Sequence, residues 1–259
     1  MLIPYGEIMT QSPTAPEGTV QSVTRAFALL EALADADGEL ALADLAAATG
    51  LAQPTAHRLL KTMQGLGYAR QSASRSYGLG PALIALGNRA APQLAARAQP
   101  LLNDLEELSQ ETANLVVLDG AMAVYVAQQP SRHQMRMFTE VGRRVLPHSA
   151  GAGKAMLATL SEARVREIAE LTGLPRFTDT TITSVPGLLA ELRDTRRRGY
   201  ALDEGEREVG VRCIAVAVPG ATPPAALSVS GPAARITDVM TGRIVEALQG
   251  AAVRLAASG

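Results

Sequence analysis

The fold of the N-terminal part of the chain is decided by the stretch Gly50-Leu51-Ala52-Gln53-Pro54-Thr55-Ala56-His57-Arg58-Leu59-Leu60-Lys61. A three-residue turn leads into a helix, and Pro54 falls in the first helical turn, where a missing N–H costs no hydrogen bond. Upstream, residues 42–49 have the pattern of a short helix that ends at Gly50. Residues 23–34 carry apolar side chains at helical spacing, with Ser22 as the expected N-cap. These patterns predict a helix-turn-helix.

A short hairpin is predicted directly after the third helix. Residues 66–70 and 76–79 have the pattern of two strands, and the polar residues 71–75 between them form the tip. Three helices followed by a hairpin make a winged helix-turn-helix, whose third helix enters the major groove of DNA. We assign residues 20–80 to this domain and residues 1–19 to a disordered tail.

Acidic residues are absent from residues 45–103. The basic residues of this window are Arg58, Lys61, Arg70, Arg75, Arg89 and Arg97. The whole chain has 25 acidic and 24 basic residues, so the depletion is local. Phosphate groups repel carboxylates and attract Lys and Arg. The window therefore indicates one local surface for nucleic acid rather than a uniformly basic protein.

The third helix offers one polar face to such a partner. Positions 54, 57, 58 and 61 lie on the same side of a helix, which suits a DNA groove better than a core. The DNA contacts that we expect from this helix and the wing are Gln53, Thr55, His57, Arg58, Lys61, Arg75 and Tyr77. Arg58 could pair with a guanine or clamp a phosphate. An ordinary solvated helix face is the alternative, and for Arg75 it is an idle exposed arginine.

Composition excludes several other classes of protein. The single cysteine, Cys213, allows no internal disulfide and no multi-cysteine zinc site, and the three histidines lie far apart in sequence. We expect no metal and no cofactor. No stretch approaches the roughly 20 apolar residues of a membrane helix, and residues 1–18 lack the pattern of a signal peptide. A cytoplasmic location is therefore expected.

The remainder of the chain mixes helices and strands. A linker helix is expected over residues 81–98, with a break at Pro100, and a second domain over residues 99–259. The helices predicted there span 101–111, 151–160, 162–172, 188–199 and 236–256. The strands span 115–118, 123–127, 135–140, 213–218 and 225–230. This α+β pattern indicates an α/β sensor domain attached to the winged helix-turn-helix.

Three stretches resemble the IclR family of bacterial transcription regulators. They are the Thr55-Ala56-His57-Arg58-Leu59-Leu60 core of the third helix, the segment from Leu146 to Ala155, and the segment from Gly199 to Ala215 with its run D-E-G-E-R-E-x-G-x-x-C-I-A. The last is the most specific, and the resemblance covers residues 20–256. It implies a ligand-responsive regulator with a GAF-like effector-binding domain; we expect a repressor by default, although the resemblance also permits an activator. It further implies a homodimer or homotetramer on a pseudopalindromic operator, and a small organic or aromatic acid as effector.

The same resemblance implies the residues of the effector site. They are Leu146, Ala150, Gly151, Ala152, Asp203, Val211, Cys213, Ser228 and Ser230, with Leu146 and Val211 as apolar walls. The small residues at 149–152 also precede a predicted helix, whose N-terminus attracts a carboxylate; close packing at a glycine turn is the alternative. Ser228 and Ser230 point to one side of a strand and, if buried, need a ligand or water as partner.

An enzyme is the competing hypothesis. Cys213, His148 and Asp203 could act together on a small acid, with the thiol as nucleophile. A lone buried cysteine usually behaves as a small apolar side chain, and this hypothesis leaves the acid-free window unexplained. We therefore expect a regulator and not an enzyme.

Overall fold

The computed structural model describes residues 20–36, 38–90, 93–137 and 139–257, except for the side chains of residues 88–94. The predicted tail, residues 1–19, lies outside this part of the chain. Contacts divide the protein into two compact units, Met1–Ala90 and Ala91–Gly259. Among the described residues, no helix has both the length and the apolar character needed to cross a membrane.

The first unit is a winged helix-turn-helix, as predicted. Its elements are α1 (Gln21–Asp35), α2 (Leu42–Thr49), α3 (Gln53–Gly65), β1 (Ala69–Gln71), β2 (Tyr77–Leu79) and α4 (Ala82–Ala90). Leu29, Leu45 and Leu60 from the three helices are fully buried in one core. The predicted N-cap is wrong, because Val20 precedes α1 and Ser22 lies inside it.

The turn between α2 and α3 depends on Gly50. This residue ends α2 in the left-handed region at φ +65°, and its N–H bonds back to the carbonyls of Ala46 and Ala47. Glycine adopts that conformation without the steric cost that a Cβ brings. Three residues later, at Gln53, α3 begins, with Pro54 in its first turn. The angle between the two helices is thus set by local turn chemistry, which explains why the sequence predicted it.

The second unit is built on one antiparallel sheet of six strands, in the order β5-β4-β3-β8-β7-β6. Its strands are β3 (Thr112–Asp119), β4 (Met122–Gln129), β5 (Arg144–Val145), β6 (Ala201–Glu204), β7 (Val211–Ala217) and β8 (Ala225–Pro232). Its helices are α5 (Gln93–Ser109), α6 (Gly151–Leu157), α7 (Glu162–Thr172), α8 (Val185–Arg198) and α9 (Asp238–Ala257).

Helices cover both faces of this sheet. Leu102 of α5 and Leu248 of α9 pack with Leu227 of the sheet in one apolar cluster. Met156 of α6 and Leu192 of α8 belong to a second cluster on the other face. Each strand contributes to both clusters, because successive side chains of a strand point to opposite faces of the sheet. The second face also carries the candidate sensor site.

Two predictions for this unit are wrong, and strands were missed. Pro100 lies inside α5 instead of breaking it; the neighbouring Ala98 and Leu102 are buried, and this packing offsets the roughly 3 kcal/mol that an interior proline costs. The described residues of 135–140 form no strand, and Arg144–Val145 pairs with β4 instead. The strand Ala201–Glu204 was not predicted. Residues 91 and 92 of the predicted linker helix lie outside the described residues.

Candidate functional site: a basic groove and a polar sheet face

The predicted DNA-contacting face of α3 is exposed. Gln53, His57, Arg58 and Lys61 are exposed and Thr55 is half-buried, whereas the opposite side of the helix is buried in the core. α3 has no acidic residue in its first turn. The helix therefore presents two cations and several hydrogen-bonding groups to solvent on one side, which is the arrangement that a DNA groove requires.

A groove of about 600 Å³ runs between α1 and α3. Its lining residues are Gln21, Ser22, Arg25, Thr55, Arg58, Leu59, Lys61 and Thr62. Arg25 adds a third cation to Arg58 and Lys61, and it was not predicted. It precedes the acid-free window in sequence, so only the packing of α1 against α3 reveals its place. Three cations at one groove suit a strand of phosphates.

The wing contributes less than predicted. Tyr77 is only 2% exposed and packs in the core of the first unit, where its backbone pairs with Leu40. It therefore cannot reach phosphate, and its predicted role is wrong. Arg75 is exposed at the hairpin tip with φ +65°, a position open to DNA. Arg70 forms an ion pair with Glu39, so an acid from outside the window neutralises one of its bases.

In the second unit, four buried polar side chains form a row across the sheet. Asp203 pairs with Cys213, Cys213 with Ser230, and Ser230 with Thr112 in the strand register. All four are buried. This first polar row contains three of the predicted effector residues together with Thr112, which was not predicted. Buried polar groups need partners, so a row of them in a sheet interior marks a candidate ligand site.

A second polar row lies on the same face, two residues away from the first along β8 and β3, and it continues onto β4. It consists of Ser228, Asn114 and Gln128, neighbours in the register of β8, β3 and β4. Ser228 was predicted, but Asn114 and Gln128 were missed. The signal was present in the sequence, because Thr112 and Asn114 alternate at a spacing of two in an otherwise apolar strand.

Helix α6 lies directly over the first polar row. A methyl group at Gly151 would lie 2.9 Å from Cys213 Sγ, and one at Gly153 would lie 2.3 Å from Pro147 O. These distances favour close packing at the glycine turn, the alternative that the sequence left open. α6 has only seven residues, so the attraction of an anion to its N-terminus is weak. The Ser230 and Ser228 hydroxyls and the Ala152 N–H lower the pKa of the Cys213 thiol, against the larger effect of burial.

A fully buried lysine, Lys154, lies close to the Asp203 end of this row. Asp203 Oδ1 accepts a hydrogen bond of 2.8 Å from the Glu206 N–H. Lys154 Nζ donates 2.5 Å to Leu202 O, forms an ion pair with Glu206, and lies 3.5 Å from Glu191 Oε1. Burial raises the pKa of Asp203 to about 6 and that of Glu206 to about 7, against the opposing effect of Lys154. The sequence did not predict this network.

Tyr125 adds a phenol to the same region. Burial raises its pKa, as do the nearby Cys213 and Asp203, while Arg207 and Arg143 lower it. The guanidinium of Arg207 lies 4.8 Å from the ring centre of Phe177. Two guanidinium groups thus act on a phenol that belongs to the sensor face, and neither was predicted. Two other predicted residues, Leu146 and Val211, are half-buried and take part in none of these contacts among the described residues.

The proposed catalytic group is not assembled in this region. His148 Nε2 lies 3.2 Å from Pro175 O and its ring stacks on Phe177, whereas Cys213 pairs with Asp203 and Ser230 in the strand register and packs against Gly151. Burial raises the pKa of the Cys213 thiol to about 11, so the thiol is protonated near neutral pH. A protonated thiol is a poor nucleophile. Among the described residues, no group of three or more His, Cys, Asp or Glu side chains could hold a metal ion.

A winged helix-turn-helix with a basic groove, followed by an α/β unit with a buried polar face, defines a DNA-binding regulator with a sensor domain. Comparison with protein families agrees. Residues 22–73 match the IclR helix-turn-helix domain, and residues 90–257 match the C-terminal domain of bacterial transcriptional regulator IclR. The chain belongs to the IclR family of bacterial transcriptional regulators.

Individual relatives are similar over most of their length. The transcriptional repressor IclR of Escherichia coli is 40% identical over 233 residues, which are 87% of this chain and 85% of the relative. The repressor AllR of Salmonella typhimurium is 35% identical over 231 residues, with the same coverage. An IclR regulator from Alicyclobacillus acidocaldarius has a TM-score of 0.80 at 29% identity, covering 93% of this chain and 100% of that one.

A further solved structure, an IclR homolog from Microbacterium hydrocarbonoxydans in complex with 4-hydroxybenzoate, has a TM-score of 0.79. Its identity to this chain is 24%, and the alignment covers 91% of this chain and 98% of that chain. At this identity the likeness concerns the fold.

Proposed function

We propose that this protein is a transcriptional repressor that binds an operator through the basic groove and responds to a small carboxylic acid at the polar sheet face. The observation that carries the proposal is the first polar row, Asp203–Cys213–Ser230–Thr112, buried in the second unit. A chain that only bound DNA would have no need of such a row. In this proposal the protein acts in the bacterial cytoplasm and has no enzymatic activity.

A carboxylic acid fits the chemistry of this face. Ser228 and Ser230 supply hydroxyl donors, and Arg207 and Arg143 lie close enough to affect the ionisation of Tyr125. Donors and cations together stabilise an anion in a buried place. The predicted effector contacts Leu146, Ala150, Gly151, Ala152 and Val211 remain part of the proposal. The relative in complex with 4-hydroxybenzoate supports an acid of this kind.

The operator contact is assigned to the groove between α1 and α3. Arg58 and Lys61, with Gln53, Thr55 and His57, reach into the major groove, and Arg25 and Arg75 bind phosphates.

An acid that binds the operator-bound and free conformations with different affinity shifts the balance between these two conformations. A ligand that binds both equally well leaves the balance unchanged. The relatives IclR and AllR are named as repressors, which supports repression rather than activation by this protein.

A homodimer would present two recognition helices to an inverted repeat. Among the described residues of the first unit, the large apolar side chains that are about half exposed or more are Val20, Val23, Phe27, Leu66, Ile84 and Leu86. Val23 and Phe27 are four residues apart on one side of α1, and a second copy of this chain would cover them. Sedimentation of Phe27→Glu and Ile84→Glu should show monomers, while Leu171→Glu, at an equally exposed site on α7, should leave the assembly unchanged.

The first test is recovery of fragmented genomic DNA at about 0.15 M salt, where non-specific binding is largely screened. A few sites that share an inverted repeat are expected, and they should be lost with Arg58→Ala. Arg166→Ala, which changes an exposed arginine on α7, is the matched control. Release of the recovered DNA by acids is then measured. Recovery that is equal for the wild type and Arg58→Ala would remove α3 from the operator contact.

A further inference from the structure

Asn114 is an unusual residue for the centre of a sheet. It lies in the middle of the six strands, between Ser228 of β8 and Gln128 of β4, and it has no exposed surface. It belongs to the second polar row, next to the first row on the face that α6 covers. A buried amide must find partners for one acceptor and two donors. The hydrogen bonds of Asn114 therefore show whether its acceptor oxygen and its donor nitrogen both have partners.

The acceptor end of Asn114 is occupied. Oδ1 accepts 2.9 Å from Thr139 Oγ1 and 3.3 Å from Gln128 Nε2. Gln128 Nε2 also donates 2.8 Å to Thr139 O, which holds the group together. The Gln128 Nε2 donor fixes the orientation of the amide, because the flipped form would place the Asn114 N–H groups against the N–H groups of Gln128.

The donor end faces the other way. Among the described contacts, Nδ2 has a single partner, Ser228 Oγ, at 3.5 Å, the outer limit of a hydrogen bond. An amide nitrogen carries two N–H groups, so its capacity is largely unused. Ser228 is itself one of the proposed effector residues and lies two residues from Ser230 on the same face, which places the donor end of Asn114 beside the proposed effector site.

We propose that Asn114 Nδ2 binds a second oxygen of the effector and so restricts the sensor to acids with a carbonyl or hydroxyl group besides the carboxylate. This inference rests on the proposed function. The carboxylate takes donors of the first polar row, and the second oxygen takes Asn114. An acid without that oxygen would leave a buried donor unsatisfied, and a site built for a hydrogen bond rejects such an analogue.

The test uses matched acids that differ by one oxygen, with the full-length protein in calorimetric titrations. The pairs are propionate and 2-oxopropionate, pentanoate and 4-oxopentanoate, and benzoate and 4-hydroxybenzoate. In at least one pair the wild type should bind the oxygenated acid about tenfold more tightly, since one hydrogen bond is gained. Asn114→Leu should reduce that preference to less than about threefold. Asn103→Leu, on the exposed side of α5, is the control.

Asn114→Ala is the second variant, in case Asn114→Leu does not fold, because it leaves room for a water between Gln128 and Thr139. Equal affinity within every pair for the wild type, or a preference that survives in the folded variants, overturns the assignment of Asn114 alone. Failure of all six acids to bind the wild type overturns the proposed sensing of carboxylic acids, and the role of Asn114 with it.

Discussion

Gly151 lies so close to Cys213 that a methyl group at Gly151 would be 2.9 Å from Cys213 Sγ. Real Cβ atoms do not approach other heavy atoms at that distance, so either the thiol or α6 must move. The Cys213 carbonyl, 3.2 Å from the same point, limits movement of the helix. Glycine at 151 therefore sets the distance between α6 and the first polar row.

We expect Gly151→Ala to lower the stability of the second unit by about 1–3 kcal/mol, the usual effect of overpacking. Cys213→Ala in the same chain should restore part of that loss, because it removes the closest atom. Thermal unfolding followed by circular dichroism measures both effects. Gly250→Ala is the control: no atom lies within 4 Å of the added methyl group, and alanine favours a helix. Equal losses in the single and double variants would contradict the contact.

Lys154 supports the same region through charge. It is fully buried and forms an ion pair with Glu206. We expect Lys154→Met to destabilise the protein by roughly 3–5 kcal/mol, because the substitution leaves buried carboxylates without their cation. Lys154→Met with Glu206→Gln should recover much of this loss, since the double variant buries one carboxylate fewer than the Lys154→Met variant. Urea unfolding of the four proteins in a double-mutant cycle gives the coupling energy. Additive losses would mean that the pair is not coupled.

Asp203 makes the stability of the fold depend on pH. Burial raises the pKa of Asp203 from 3.8 to about 6 in the folded chain. The folded state thus binds this proton more tightly than the unfolded state. The contribution to stability is complete below pH 3.8 and is lost as the pH rises through about 6. Asp203→Asn removes the charge but keeps an oxygen that accepts from the Glu206 N–H.

We therefore expect Asp203→Asn to be more stable than the wild type at pH 7.5, by about 1–3 kcal/mol, since one pKa unit corresponds to about 1.4 kcal/mol. At pH 4.5 the difference should be much smaller. Thermal unfolding across this range tests the sign. A variant that is less stable than the wild type at pH 7.5 would show that the ionised carboxylate stabilises the fold.

The sequence predicted those parts of the fold that depend on local chemistry. α2, Gly50 and α3 were found because a glycine turn and a proline in the first helical turn act over a few residues. Tyr77 was misassigned because it pairs with Leu40. Leu40 precedes α2 in the sequence and Tyr77 follows α3, so no local pattern indicates that they meet. The strand Ala201–Glu204 was missed because it is short and ends in two acids.

The proposed effector site rests on a different source of information. The family resemblance supplied Asp203, Cys213, Ser228 and Ser230, and strand pairing brings these residues together. The role of Lys154 was not predicted, because its partner Glu206 lies 52 residues further along the chain. The second polar row depends on the register of three strands, which no local pattern determines.

Arg25 provides the last prediction, because it is the groove cation that only packing revealed. Each cation bound to a phosphate contributes about one unit to the slope of log K against log salt concentration. We expect Arg25→Ala to weaken binding of a duplex recovered from the genome and to reduce that slope by about one. Its effect should be similar on unrelated duplexes, since a phosphate contact carries no sequence information. Fluorescence anisotropy between about 0.05 and 0.3 M salt measures the slope, with Arg166→Ala as the control. An unchanged slope for Arg25→Ala would exclude this arginine from the contact, and the groove would then bind DNA through α3 alone.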